Sequence, residues 1–478
     1  MGARLPEPQG QQREVVYLRA QGHCVALGVA GSGKTVMAVR RAHYLATAPG
    51  FGGPTLLVTF NGALTTYLRS IVDDHPNITV EQYHVLARRL LVEQFGVKLR
   101  ICDNQTRDKL IALALDDVHS RGHYKRAASS KPVSFYSDEF DWLIGNAITD
   151  FDAYINGKIE RVGRGRGPHL RVADRQLVCD VYRRYQQIRR SRGFDQDWPG
   201  ISNELRRAVS LSPNPAIYRH VIIDEGQDFS PDMIRSLASI VSSKGSVTFF
   251  GDYAQQIYGS RMSWKSLGLK IGGGKVVKFD RNYRNTRPIA HFAKFISETP
   301  LFSEGIDLVE PKDPPINGPE PVLVRARSAD DQVAQAARFA NNLARDRRTR
   351  LANQRVVVLI RDKTAEEDLV GLLDHPRTIR LHKGMSKWDE RPGIFYGPHS
   401  EARGLEFDAV IVPFCDDSGL PTPSSVDAFG LEEARIRQAR ELYVAVTRAR
   451  TDLVLIHSSK LTRFLPDERS GLYFRIDP

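Results

Sequence analysis

The sequence predicts an α/β protein in two halves, each a parallel sheet flanked by helices, with a mainly helical stretch inserted in the first. Three observations predict it. Apolar, β-branched runs recur in both halves, "TLLVTF", "HVIIDE" and "VTFFGD" in the first and "RVVVLI", "AVIVPF" and "DLVLIH" in the second. Such continuous runs mark strands buried on both faces, as parallel strands are. A strand-like segment, Val25 to Leu27, passes through a glycine-rich turn straight into the helical pattern "VMAVRRAHYLA". Finally, 478 residues are enough for roughly three domains with cores of their own.

The turn after the first strand reads Gly28-x-x-x-x-Gly33-Lys34-Thr35. Strand, loop and helix in this order make a phosphate-binding loop. Gly28, Gly31, Ser32 and Gly33 let backbone amides curl around phosphate oxygens, Lys34 neutralises the β and γ phosphates, and Thr35 ligates Mg²⁺. The next landmark is "HVIIDEGQDFSP", His220 to Pro231. A buried strand there ends in two carboxylates, of which Asp224 would hold Mg²⁺ and Glu225 would orient and deprotonate an attacking water. Asp228, followed by Ser230-Pro231, also fits a plain helix start.

Between these landmarks lies the insertion. Its segment "DRQLVCDVYRRYQQIRRSRG" places Val178, Val181, Tyr182, Tyr185 and Ile188 on one helical face, which reads as core. The neighbouring "KIERVGRGRGPHLR" fits either a linker or a loop that touches phosphates.

Later segments carry a resemblance. "DEGQD" resembles motif II of the superfamily 1 helicases, and "FFGDYAQQIYGSR", Phe249 to Arg261, resembles their motif III. "RNYRNT" (Arg281 to Thr286), "RGLEFDAVIV" (Arg403 to Val412) and "LYVAVTRAR" (Leu442 to Arg450) are similar to motifs IV, V and VI. "LLVTFNGAL" and "QYHVLARRLL" stand where motifs Ia and Ib belong. The wording of motifs IV to VI points to the UvrD/Rep branch, over roughly Gln12 to Arg450.

The resemblance implies two RecA-like P-loop domains: a first, ATP-binding one over 1–91 and 218–280 with a helical insertion at 92–217, and a second over 281–478. It implies that Arg284 and Arg448 reach the γ-phosphate from the second half, and that Gln255 senses that phosphate. Gln12 would read adenine, Tyr283 stack on the base and Glu406 bond the ribose, with Gly404 beside the nucleotide. Thr59, Phe60, Asn61, His84, Tyr258, Arg261 and Trp264 would meet DNA.

The chain also departs from the family pattern. Val36 stands where an Arg often faces adenine, so adenine selectivity would lean on Gln12 and Tyr283. His399-Ser400 lies one residue too early in motif V, which requires either a bulge before Arg403 or the loss of the histidine's role. Ser260 replaces the base-stacking aromatic of motif III, with Trp264 nearby. The extra domain that interrupts the second half in UvrD and Rep is absent or vestigial, at about 361–393.

Composition sets the remaining bounds. Lys plus Arg outnumber Asp plus Glu by 68 to 56, a net charge of +12, which favours a polyanionic partner. Cys24, Cys102, Cys179 and Cys415 form no C-x-x-C pair, and the start carries no signal-peptide core, so a soluble cytoplasmic protein is expected. No nuclease or HExxH pattern occurs. The expected activity is an ATP- and Mg²⁺-dependent helicase or translocase, moving 3′ to 5′ on single-stranded or tailed duplex DNA. Any nuclease would be a separate subunit. The rival is a nucleic-acid-stimulated ATPase subunit of a repair or anti-phage complex that unwinds little by itself; a P-loop switch without nucleic acid is a third reading.

Overall fold

The structure is a computed structural model that describes residues 5–18, 20, 22–72, 75–121, 131–161, 170–252, 264–269, 271–299, 316–345, 354–382, 384–385, 387–389 and 391–477. The first part of the chain forms α1 (Gln11–Tyr17), β1 (His23–Gly28), α2 (Lys34–Thr47), β2 (Thr55–Thr59), α3 (Gly62–Ile71), β3 (Ile78–Gln82) and α4 (Tyr83–Glu93). The inserted region holds β4 (Ile101–Cys102), α5 (Asn104–Ser120), α6 (Val133–Gly145), α7 (Phe151–Ile155), α8 (Val172–Ser191), β5 (Gln196–Asp197) and α9 (Ile201–Leu211). Strands β6 (Tyr218–Ile223), β7 (Val241–Asp252) and β8 (Ile271–Phe279), with α10 (Pro231–Ser239) between the first two, return the chain to the first sheet.

That sheet is parallel throughout, in the order β3-β2-β6-β7-β1-β8. Five of the six β1 residues are buried, as a strand covered by helices on both faces requires. Helices α5 to α8 build a core of their own, in which Val178, Val181, Tyr182 and Tyr185 are buried and Ile188 packs at the edge. Helix α9 behaves differently. Its Ile201, Leu205, Ala208 and Val209 fall on one face and join the core of the first sheet against α4 and α10.

The remaining chain forms α11 (Arg287–Ser297), β9 (Val322–Arg325), α12 (Ala329–Arg345), β10 (Arg355–Leu359), α13 (Lys363–Leu372), β11 (Thr378–Arg380), β12 (Gly393–Gly397) and β13 (Phe407–Val412), then α14 (Pro423–Phe429), α15 (Leu431–Thr447), β14 (Ala449–His457) and β15 (Phe474–Ile476). The second sheet is likewise parallel, in the order β11-β12-β10-β13-β14-β9-β15. The 361–393 stretch supplies α13 and β11, so it extends the edge of this sheet beside β12.

The two sheets touch. One apolar cluster runs from Leu45 and Leu68 of the first half to Phe395 and Leu442 of the second. Across the same boundary, the Thr66 hydroxyl donates to the Met385 carbonyl at 2.9 Å and the Tyr67 and Trp388 rings meet edge-on at 5.6 Å. The insertion reaches the second half through Arg437 of α15, 3.0 Å from Asp138 of α6. No helix among the described residues is long and apolar enough to cross a membrane.

Candidate nucleotide site between the two sheets

Helix α2 begins at Gly33, whose φ of +82° is left-handed and whose missing side chain leaves the first turn uncapped. The amides of a helix's first turn lack intrahelical partners, and an anion would complete them. Lys34 folds back on the loop: its ammonium donates to the carbonyls of Gly28 and Val29, both at 3.0 Å, and lies 3.5 Å from Asp252. Sheet register explains the last contact, since Gly28 on β1 pairs with Asp252 on β7. Ser32 is fully buried and its hydroxyl has no hydrogen-bond partner. Gln12 is pinned against the loop, accepting from the Gln9 amide at 3.1 Å and donating to the Ser32 carbonyl at 2.9 Å. On the opposite side the Tyr283 amide donates to the Gly31 carbonyl at 2.9 Å, and the Arg281 guanidinium sits 5.6 Å from the Tyr283 ring centre.

The two carboxylates close β6. Asp224 has no exposed surface, and neither of its oxygens completes a hydrogen bond, although the Thr35 hydroxyl stands beside it. Burial, and then the Glu225 carboxylate, raise its pKa to about 7. An orphaned, dehydrated carboxylate next to a threonine hydroxyl is the donor set Mg²⁺ takes when phosphates and waters supply its other ligands. Among the described residues no cluster of three or more His, Cys, Asp or Glu could hold a metal without such help.

Glu225 adopts φ +50°, a left-handed backbone that costs a non-glycine residue about 1 kcal/mol or more. Burial pushes its carboxyl up, but Lys34, Arg448, the Gln227 amide and Arg284 together hold it below the ordinary range. The amide nitrogen of Gln227 lies 2.5 Å from Glu225, and its oxygen accepts from the Asp252 backbone at 3.0 Å.

Both arginines arrive from the second half. Arg448 is 3% exposed; it donates through Nε to the Val444 carbonyl at 3.0 Å and through Nη2 to Thr447 at 3.2 Å, while Nη1 has no hydrogen-bond partner. Burial first, then the neighbouring Arg284, lower its pKa. Arg284 pairs with Glu406 at 2.5 Å. Burial would raise the Glu406 carboxyl, but Arg284, Arg450 and Arg448 bring it below its usual range. Glu406, expected at the ribose, is the carboxylate that the Arg284 guanidinium reaches. Gly404, expected beside the nucleotide, packs against Leu64 of α3.

The residues expected at DNA lie in different surroundings. Thr59 is fully buried at the end of β2. Phe60 and His84 are half-buried in an aromatic cluster: their rings meet at 5.3 Å, with Phe229 6.1 Å from Phe60 and Trp198 5.7 Å from His84. Asn61 caps α3 and donates to the Ser400 carbonyl at 3.2 Å, across the boundary between the halves. Trp264 is half-buried, packs edge-on against Phe249 at 5.1 Å and borders the first core. Gln255, Tyr258 and Arg261 lie outside the described residues. In motif V a short 3-10 turn, His399–Ala402, absorbs the displaced histidine. The ring turns inward, where Nδ1 accepts from Arg361 at 2.9 Å, so it is not offered at the surface.

Several pairings around the site do not follow from the sequence. Asp252 and Gln227 tie motif III to motif II, and Arg403 of the second half meets Asp228 of the first at 3.2 Å. Burial raises the Asp228 pKa to about 6 despite that partner. The Tyr443 hydroxyl meets the Ala30 backbone of the phosphate loop. Asn282 and Asn285 sit beside Gly31. The only sequence signal for them was membership of a motif already recognised.

Comparison with known proteins agrees with this geometry. The UvrD/REP helicase N-terminal domain matches residues 9–270, and the UvrD-like helicase C-terminal domain matches residues 399–460. The chain is 22% identical to DNA helicase IV of Escherichia coli K12 over 494 aligned residues, covering 93% of this chain and 67% of that protein. It is 26% identical to the ATP-dependent DNA helicase UvrD1 of Mycobacterium tuberculosis H37Rv, over 58% of this chain and 36% of that one. It thus spans about two thirds of the first relative and about a third of the second. With the N-terminal match covering more than half of its length, the chain belongs to the UvrD/REP helicase family.

Proposed function

We propose that this protein is an ATP-driven translocase on single-stranded DNA, moving 3′ to 5′ and opening tailed duplexes. The observation that carries the proposal is the convergence of charge from both halves. Arg284 and Arg448 of the second half act on Glu225 of the first, alongside Lys34. Phosphoryl transfer needs cations around the γ-phosphate in the transition state, and cations carried on a separate body link turnover to relative motion.

In this reading Glu225, kept ionised by its neighbours, accepts the proton of the attacking water, and Gln227 fixes its carboxylate. Lys34 leaves the Gly28 and Val29 carbonyls for the β and γ phosphates. Arg448 offers its unpartnered Nη1, and Arg284 exchanges Glu406 for phosphate, which frees Glu406 for the ribose. Asp224 and Thr35 would hold Mg²⁺, which when bound neutralises phosphate charge. Gln12 and Tyr283 flank the loop where adenine would sit. The pairs Asn61 with Ser400 and Asp228 with Arg403 cross the boundary, so they would register each cycle of closure.

A single strand would cross this same boundary, held through its phosphates by the basic surface that a net charge of +12 provides. One observation favours a second reading, a DNA-stimulated ATPase subunit of a repair or anti-phage complex, working with a separate nuclease. The 361–393 stretch folds into the second sheet and adds no further domain to regulate unwinding.

The test is ATPase rate with and without oligo-dT, followed by unwinding of 3′-tailed against 5′-tailed duplexes. Stimulation together with opening of 3′-tailed duplexes supports the translocase. Stimulation without unwinding supports the subunit reading, and no stimulation removes both.

A further inference from the structure

Asn282 and Asn285 are 5% and 1% exposed, and neither carries charge. Their side chains join, Asn282 Nδ2 donating to Asn285 Oδ1 at 2.7 Å. Asn282 Oδ1 accepts the backbone amides of Arg284 at 2.9 Å and Asn285 at 3.1 Å. Asn285 Nδ2 spends both protons on the carbonyls of Thr447, at 3.3 Å, and Ala449. Those carbonyls flank Arg448. The pair also abuts the phosphate loop. A Cβ at Gly31, where φ is +75°, would lie 2.8 Å from Asn285 Oδ1 and closer still to Asn282 Oδ1.

We infer that Asn282 and Asn285 form an amide clasp that positions both arginines, Arg284 through its own backbone amide and Arg448 through the carbonyls on either side, at a fixed distance from the phosphate loop. The inference rests on the reading of Arg284 and Arg448 as partners of the transferred phosphate. An arginine side chain is long and loses much rotamer freedom on ordering, so its aim depends on where its backbone is held. A carboxamide suits the task because it combines an acceptor with two donors. A carboxylate at 285 would keep the shape, lose both donors and set negative charge against two carbonyls. Being neutral, the clasp acts by geometry and leaves the field on the phosphate unchanged. Both asparagines are therefore positioning residues, and neither has to touch the nucleotide.

A double-variant cycle tests this in the full chain, with oligo-dT-stimulated turnover, fluorescent-nucleotide affinity and melting temperature measured for Asn285→Ala, Asn285→Asp, Arg448→Ala and the Asn285→Ala/Arg448→Ala double. Asn285→Ala and Asn285→Asp should each lower kcat by about thirtyfold, with nucleotide Kd within about threefold in Asn285→Ala, since misplacing a transition-state donor spares ground-state binding. The double variant should be slower than Arg448→Ala by well under about thirtyfold, because the clasp has nothing left to aim at 448 and only its hold on Arg284 through Asn282 remains to be lost. A purely structural asparagine would multiply its loss onto that of Arg448→Ala, which would overturn the clasp, as would near-normal kcat in Asn285→Ala. Should Asn285→Ala fail to fold, the isosteric Asn285→Asp takes its place in the cycle. If Arg448→Ala itself turns over normally, the phosphate reading of that arginine falls, and the clasp falls with it. If Arg448→Ala is inactive and Asn285→Asp is normal, only the clasp is lost.

Discussion

Each of the two sheets has a point where neighbouring strands send their connections in opposite directions, yet the crevices at those points differ in electrical character. In the first sheet the point lies between β1, which leads to β2, and β7, which leads to β8. In the second it lies between β10, which leads to β11, and β13, which leads to β14. Such points open crevices at the carboxyl ends of strands, where ligands bind. The first crevice holds Asp224, Ser32 and Arg448 with polar atoms left unpartnered. The second is a cavity of about 420 Å³, walled largely by Leu359, Val412, Phe414 and Leu442. Its charges are offset by neighbours: Arg361 bonds His399 at 2.9 Å and Gln438 at 2.8 Å and meets Glu441 at 2.8 Å, while Asp416 accepts from Ser458 and Ser459; the polar atom left without a hydrogen bond on the imidazole, His399 Nε2, belongs to a neutral ring. One architecture thus appears in two states, one awaiting charge from outside and one internally neutralised. Fold alone does not make a nucleotide site; unmet electrostatic demand does.

The contrast breaks most visibly at the first crevice. Lys34→Ala and Glu225→Gln should each cut ATP turnover by about a thousandfold or more, and Glu225→Gln should still bind nucleotide because only the base is lost. Hydrolysis by Glu225→Gln within about tenfold of the parent would remove it from that role. Next in size, Arg284→Ala and Arg448→Ala should lower stimulated turnover by about a hundredfold or more while ATP affinity stays within about tenfold. Both should retain single-strand binding in a filter or anisotropy assay. Near-normal turnover in both would show that the second half contributes nothing to chemistry.

A smaller effect concerns the surface across both halves. If the strand is gripped by about four phosphate contacts, affinity should fall roughly fiftyfold between about 50 and 200 mM salt. A titration that stays flat over that range would exclude the electrostatic grip. The smallest effect belongs to the second crevice. Burial, and then Arg361, keep the His399 pKa well below its ordinary value, so the folded chain holds this ring neutral. Above about pH 6.5 the unfolded ring is neutral too and stability is unaffected; as the pH falls further, the unfolded chain takes up a proton that the folded one refuses, and stability is lost. Melting temperature should therefore drop more steeply between about pH 6.5 and 5 in the parent than in His399→Gln, by a few degrees. Equal slopes would mean that His399 titrates normally in the folded state.

What the sequence revealed and what it concealed follow one physical line. Gly28 to Thr35, Asp224 and Glu225 are set by strand and loop geometry within a dozen residues, so their spacing alone exposes them. Arg284 and Arg448 are invisible to spacing and became legible through the resemblance. The partners that connect them are spread widely: Asn285 bonds Thr447 and Arg403 meets Asp228, in each case more than 160 positions along the chain. No local pattern encodes such pairings. Aromatic residues were hard to assign for another reason. A Phe60 or a Trp264 carries the same ring whether it stacks on a base or packs edge-on against Phe229 or Phe249, and only the folded chain shows the protein partner. Glu406 is ambiguous in a similar way, since the carboxylate suited to a ribose also suits the arginine beside it.

The left-handed backbone at Glu225 bears on how this protein tolerates engineering. A redesign that ranked substitutions by folding free energy would favour glycine at 225, to relax φ +50°, and a neutral side chain at 224, where a carboxylate is buried without a hydrogen bond. With Glu225 read as the base and Asp224 as the Mg²⁺ ligand, both choices would yield a sturdier protein without turnover. Thermostabilised variants of this chain should therefore be built from helix caps, loops and the insertion core, with the end of β6 left in its unfavourable form.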